Sequence, residues 1–173
     1  MGKAKKDQLG RVVAQKPSQT PPPAVILVNP QMGENIGAAA RAMLNFGLSE
    51  LRLVAPRDGW PSDPAISLAA GAVEVLEHAK VFATTAEALA DIEMAMAATA
   101  RRRELEIPVI GTGDAGNIVR GWQGAGKRSA ILFGPEKAGL TNEDVVLCDM
   151  ILTYPINPAF QSLNLAQAVA VFS

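Results

Sequence analysis

The feature that most constrains this chain is a repeated unit. A short, unbroken apolar run is followed by a turn rich in Gly, Pro and Asn, and then by a stretch with helical spacing. Residues 24–29 (AVILVN) open the first unit. A strand that is apolar at every position needs cover on both faces, as in a parallel sheet flanked by helices. Asn35 is placed to cap a helix over 36–46, and Gly47 stands where a left-handed residue would end it. The unit recurs, with strands at 51–55, 79–83 and 94–99 and helices at 64–76 and 86–91. Beyond that, 115–122 reads as helix, 129–134 (SAILFG) as another buried strand, 142–148 as a short helix and 150–155 as a last strand. Such alternation implies helical crossovers between parallel strands, an α/β class. From Ser162 the run SLNLAQAVAVF has helical period and reaches Ser173 with no exit signal, so the chain is expected to stop inside or just after that helix.

At 173 residues and 49% hydrophobic, the chain has material for one domain with a sizeable core. Residues 1–23 combine scattered lysines with Pro17, Pro21, Pro22 and Pro23 and show no apolar period, which predicts a disordered basic arm ahead of a domain over 24–173. The single cysteine, Cys148, cannot form an internal disulfide and reads as a small core residue; with no secretory leader, the expectation is a cytoplasmic protein. No apolar stretch is long enough for a membrane helix.

A net charge of −1 argues against simple electrostatic adhesion to nucleic acid, but the distribution is uneven. Residues 58–100 hold seven acids against Lys80 alone, whereas Arg101, Arg102 and Arg103 stand together after a strand end, where guanidinium groups suit phosphate. His78 has no companion at metal-ligand spacing and reads as a helix-end surface histidine. The glycine fingerprint of dinucleotide enzymes is missing after the first strand, which ranks an oxidoreductase low.

Three breaker-rich segments lie just beyond strand C-termini, where open parallel sheets place ligands. In the first, Asn29 to Arg41, the arginine follows Gly37 by one helical turn and could lean over it to meet Asn35 and Glu34. Taken alone, the segment is better explained by Asn35 as a plain cap, the alanines as packing and Arg41 as a solvated surface cation. In the second, Leu132 to Asn142, Gly134 and Gly139 permit close backbone approach, and Glu136 can accept hydrogen bonds from ribose hydroxyls or an amine. In the third, Tyr154 to Leu165, Ser162 or its neighbour caps the final helix, and Asn164 adds a donor and an acceptor on its first turn.

Together the segments resemble the SpoU/TrmH family of SPOUT RNA ribose methyltransferases. Asn-Ile-Gly-Ala-Ala-Ala-Arg, Leu-Phe-Gly-Pro-Glu-Lys-Ala-Gly-Leu-Thr-Asn and Ser-Leu-Asn-Leu-Ala-Gln-Ala-Val match its three motifs in order. Val-Asn-Pro, Thr-Ala-Arg and Tyr-Pro-Ile-Asn-Pro-Ala-Phe-Gln-Ser-Leu-Asn-Leu are most similar to the TrmJ branch, tRNA cytidine/uridine 2′-O-methyltransferases acting at nucleotide 32 of the anticodon loop. The resemblance implies an α/β sheet, mostly parallel and flanked by helices, with a C-terminal deep trefoil knot. It implies a homodimer, S-adenosylmethionine as methyl donor with S-adenosylhomocysteine as product, and no metal.

By the family pattern Arg41 is catalytic, supported by Asn35, Glu136, Ser162 and Asn164. Cofactor contacts fall to Leu132, Phe133, Gly134, Glu136, Gly139, Ile156, Ser162, Leu163 and Asn164, and RNA contacts to Arg41 and Arg101–Arg103. A guanidinium holds its proton in proteins, so Arg41 is expected to bind phosphate and stabilise charge on the ribose oxygen rather than act as a base. An rRNA acceptor, or a non-catalytic RNA-binding homologue, is the alternative.

Overall fold

The computed structural model describes residues 20–99, 105–157, 159 and 163–172. The apolar runs become strands: β1 (Ala24–Val28), β2 (Leu51–Val54), β3 (Lys80–Phe82), β4 (Met94–Ala98), β5 (Val109–Gly111), β6 (Ser129–Phe133) and β7 (Met150–Thr153). They form one sheet in the order β3-β2-β1-β6-β4-β7-β5, and every pairing is parallel. The helices are α1 (Gly33–Asn45), α2 (Asp63–Leu68), α3 (Val73–Glu77), α4 (Thr85–Ala88), α5 (Thr112–Gly124), α6 (Asn142–Val145) and α7 (Leu165–Phe172).

The two most apolar runs pair at the centre, with Val25 opposite Ile131 and Leu27 opposite Phe133, and both strands are buried at all five positions. The pleat sends alternate residues to opposite faces. Val25, Leu27, Met96, Ile131 and Phe133 join one core with Ala39 and Met43 of α1, Ala65 of α2, Val119 of α5 and Val169 of α7. Ala24, Ile26, Ala97, Ala130 and Leu132 form a second core with Ala88 of α4 and Val145 of α6. Each fully buried Ile, Leu or Phe contributes about 1.5–3 kcal/mol, so the continuous runs demand both layers of helices. This is the expected α/β class.

Among the described residues, one charged side chain is fully enclosed. Arg52, on the buried strand β2, is 1% exposed; its guanidinium donates to the Ala88 carbonyl at 2.6 Å and pairs with Glu50 and Asp91. Arg128 pairs with the same two carboxylates. A buried charge is tolerated only when paired and hydrogen-bonded, and this network fastens the start of β2 to α4 and to the residue preceding β6.

Several expectations need correction. Helix α1 begins at Gly33, with Met32 in the capping position and no side-chain cap, so Asn35 sits inside the first turn and its amide is free for other work. The single helix expected over 64–76 is two, because Ala70 and Gly71 take positive φ (45° and 95°), a conformation that ends a helix. Strand β5 was not foreseen; three edge residues carry no usable periodicity. The helix expected over 115–122 extends to Thr112–Gly124, and those at 86–91 and 142–148 shorten to Thr85–Ala88 and Asn142–Val145. Gly47 does take the left-handed conformation (φ 78°) after α1. The expected basic arm (except its last four residues), the arginine cluster Arg101–Arg103, Ser162, and the stretch at 158 and 160–162 through which the expected knot would pass all lie outside the described residues.

Candidate functional site

The strand order brings the three breaker-rich segments together. Since β6 pairs with β1 on one side and β4 on the other, the turns after β1 and β6 emerge side by side, and α7 packs against α1 from the β7 side. Glu136, in the turn after β6, is the meeting point. One carboxylate oxygen accepts from the Asn35 side-chain amide at 2.7 Å, and the other from the Gln31 peptide N–H at 3.0 Å. Asn164 then donates through Nδ2 to Asn35 Oδ1 at 3.1 Å. Its own Oδ1 accepts from the Ala166 N–H at 2.9 Å, which makes Asn164 the working cap of α7.

These bonds run in one direction. Ala166 donates to Asn164, Asn164 to Asn35, and Asn35 to Glu136, so each amide orientation is set by its neighbour and the series ends on the carboxylate. Each carboxylate oxygen keeps a lone pair, and each side-chain amide keeps an N–H. The cluster can therefore grip a hydroxyl that both donates and accepts.

Beside the cluster lies a cavity of about 400 Å³, in the size range of small-molecule sites. Its walls come from the C-terminal ends of β4, β6 and β7 and from α7, with Ala98, Phe133, Tyr154, Ile156, Leu163 and Leu165 supplying apolar surface. Thr99, Glu136 and Lys137 bring polar groups to it. The Tyr154 hydroxyl donates to the Ala168 carbonyl at 2.9 Å, and burial pushes its phenol pKa upward. The bond ties the segment after β7 to α7 across the cavity wall.

Of the residues expected to hold the cofactor, Phe133, Gly134, Glu136, Gly139, Ile156 and Leu163 line this cavity, and Asn164 adjoins it. Leu132 does not line it; that side chain is 0% exposed in the opposite core, as strand alternation requires. Gly134 also needs reinterpretation. A Cβ there would stand 2.2 Å from the Leu140 nitrogen and 2.4 Å from the Gly139 carbonyl carbon, so the turn folding back on itself fills the space assigned to a ligand. Gly139 (φ 68°) has nothing within 4 Å of its missing Cβ and is the open wall of the turn. Ala98, Thr99, Tyr154, Leu165 and Ala168 went unnoticed, because side-chain type alone does not mark cavity walls.

Arg41 stands apart from the cluster. It is exposed, and its guanidinium has no hydrogen-bond or ion-pair partner among the described residues. Six residues beyond Asn35 is about 120° around a helix, and the predicted approach over Gly37 is blocked, since the Ala65 carbonyl of α2 fills that groove. The expected meeting of Arg41 with Asn35 and Glu34 does not occur; Asn35 turns to Glu136 instead. His78 ends α3, is exposed, and its Nδ1 lies 2.8 Å from the Glu74 carbonyl oxygen. Cys148 is buried as expected, and desolvation, with Asp149 and Asp144 nearby, pushes its thiol up to about 12. No group of three potential metal ligands lies among the described residues.

Residues 22–173 match the SpoU rRNA Methylase family. The chain is 40% identical over 149 residues to the tRNA (cytidine/uridine/adenosine-2′-O-)-methyltransferase TrmJ of Pseudomonas aeruginosa, covering 86% of this chain and 58% of that protein. The crystal structure of TrmJ from Z. mobilis ZM4 superimposes with TM-score 0.83 at 55% identity, covering 87% of this chain and 66% of that one. The SpoU methyltransferase AviRb from Streptomyces viridochromogenes, solved in complex with the cofactor AdoMet, has TM-score 0.64 at 19% identity over 90% of this chain and 57% of that one, a likeness of fold alone. The chain spans about three-fifths of the length of the curated relatives it matches.

Proposed function

The chain belongs to the SpoU rRNA methylase family, and from that premise we propose that it transfers a methyl group from S-adenosylmethionine to a ribose 2′-oxygen of RNA, with the tRNA anticodon loop as acceptor. The observation that carries this is Glu136. It holds Asn35 and the Gln31 peptide at the rim of a ligand-sized cavity whose own turn it belongs to.

The cavity suits a nucleoside sulfonium: apolar walls at Phe133, Ile156 and Leu165, the open backbone of Gly139, and polar Thr99 and Glu136 at its edge. S-adenosylmethionine bound there supplies an electrophilic methyl group, leaving S-adenosylhomocysteine. Glu136 and Asn35 orient the ribose hydroxyl, with Asn164 holding Asn35 and Ser162 supporting them by family resemblance. Leu132 contributes only from within the strand. Arg41, exposed and without a partner among the described residues, takes the adjoining phosphate and offsets negative charge developing on the 2′-oxygen as its proton leaves, before the O–CH₃ bond forms and the S–CH₃ bond breaks. The departing proton goes to phosphate or water, because the guanidinium keeps its own. Positioning accounts for much of the acceleration in such a transfer.

Arg101–Arg103 would extend the phosphate contacts, and the family resemblance assigns a C-terminal trefoil knot to the fold. A second copy of the chain completes the site; α7 offers it the 55%-exposed Val171. No described helix is long and apolar enough to cross a membrane. An rRNA acceptor is the second reading, favoured by the family's description alone.

The test is calorimetric titration with S-adenosylmethionine, followed by single-turnover transfer to an unmodified tRNA transcript and to an rRNA fragment. Failure to bind the cofactor, or equal affinity for NAD, refutes the proposal. Arg41→Ala should leave cofactor affinity intact and slow transfer by roughly a hundredfold or more, the scale of losing one oxyanion donor. Arg41→Lys should recover only part at every pH, lacking the planar fork. Full rescue by lysine at high pH would mark a general base instead.

A further inference from the structure

Strands β1 and β2 end alike. Asn29 and Ala55, the residues just past them, both take positive φ (45° and 43°), a conformation that is strained for alanine. The two left-handed residues turn Pro30–Gln31 and Pro56–Arg57 toward each other, and the Arg57 N–H donates to the Pro30 carbonyl at 3.2 Å. The Arg57 side chain makes a second tie, Nη1 donating to Gln31 Oε1 at 3.2 Å. Its remaining face is held by Asp58, with Nε and Nη2 donating to the two carboxylate oxygens at 2.8 and 3.1 Å. Gln31 is the residue whose peptide N–H holds Glu136.

Resting on the methyltransferase reading above, we propose that Arg57 is a positioning residue, fixing Gln31 so that its peptide N–H orients Glu136 for the acceptor hydroxyl. The guanidinium is suited to this because Asp58 fixes its plane while Nη1 reaches Gln31; a lysine could make one of these bonds but not hold both directions. A phosphate contact is the competing role for an arginine that is about half exposed. Yet three of its N–H groups are already committed to protein acceptors. Arg57 was not singled out in the sequence, where it stands among loop residues with no motif around it.

The experiment is a double-mutant cycle with Arg57→Ala and Gln31→Ala in the full chain, read in three ways. Amide hydrogen exchange at Gln31, followed by NMR, needs no reaction and should quicken in Arg57→Ala. Single-turnover methyl transfer at saturating cofactor and tRNA transcript should slow about tenfold, a fraction of the loss expected from a full ångström of misplacement. S-adenosylmethionine affinity and RNA affinity should not change. In the Gln31→Ala background Arg57→Ala should add nothing, and Arg57→Lys should be intermediate in the parent. Unchanged Gln31 exchange, or a slowing that multiplies in full on Gln31→Ala, overturns the proposal. So does a weaker RNA affinity whose salt dependence falls by about one counterion, the mark of a phosphate contact. If the parent protein transfers no methyl group while exchange at Gln31 still responds to Arg57, the methyltransferase reading fails and the tie between Arg57 and Gln31 stands.

Discussion

Helices α1 and α2 approach closely at Gly33 and Gly37 of α1, and Gly37→Ala measures what that contact is worth. A Cβ at Gly37 would lie 2.1 Å from the Ala65 carbonyl oxygen and 2.9 Å from its carbon. Ordinary carbon–oxygen contact starts near 3.3 Å, so the helices must separate by about 1.2 Å. The obstacle is helical backbone, which cannot rotate aside. Alanine itself favours a helix interior by about 1 kcal/mol over glycine, whereas overpacking costs about 1–3 kcal/mol. With a rigid obstacle the upper end applies, and the net loss should be about 2 kcal/mol.

The control is Gly121→Ala in α5, where nothing lies within 4 Å of the new carbon and only the propensity gain operates, up to about 1 kcal/mol. Urea unfolding should therefore move the two variants in opposite directions. Asn35 is two residues from Gly37, so half of the required displacement, roughly 0.6 Å, would stretch its 2.7 Å bond to Glu136 to the weak end of the hydrogen-bond range. Methyl transfer should fall with stability, by about tenfold at a misplacement of this size. If Gly37→Ala gains stability as Gly121→Ala does, the close crossing is not what that glycine serves.

Three further outcomes follow from the structure. Asn164→Ala removes both the α7 cap and the support of Asn35, so it should lower stability by about 1 kcal/mol and reduce transfer more than tenfold at little change in cofactor affinity; thermal unfolding and single-turnover rates check the two effects separately. The hydrogen bond from Arg52, aided by Arg128, holds the Asp91 carboxyl at about 2, below its ordinary 3.8, so its contribution is present in full above about pH 4 and lost as pH falls toward 2. Acid unfolding should begin in that window and shift upward in Asp91→Asn, which removes the titrating group and leaves Arg52 underpaired. Cys148, held near 12 by burial, should resist a thiol reagent at neutral pH in the native protein and react as a single thiol once unfolded.

The sequence was most legible where one residue's environment dictates another's. Continuous apolar runs such as AVILV and SAILF can exist only between two layers of helices, and the parallel sheet followed from them. The meeting of Asn35, Glu136 and Asn164 was legible only through motif resemblance, since no local rule brings together residues so far apart in the chain. Periodicity misplaced what depends on contacts across the fold. Gly37 read as room for Arg41 but is room for α2, and Gly134 read as room for a ligand but is room for Leu140. Glycine announces that something comes close without saying what. Arg52 and Arg57 gave no signal at all, because their partners Asp91 and Gln31 are defined by strand order alone.

The spacing within the cluster has a consequence for biosynthesis. Asn35 is bonded to a residue 101 positions later and to another 129 positions later. At a synthesis rate of about 5–20 residues per second, a nascent chain waits roughly 6–26 s between making the first amide of this cluster and the last. Until β6 is made, β1 has β2 on one side, with β3 beyond it, and the edge that will receive β6 is open, an apolar strand margin of the kind that recruits other chains. The chain must survive as half a sheet before it can hold a ligand.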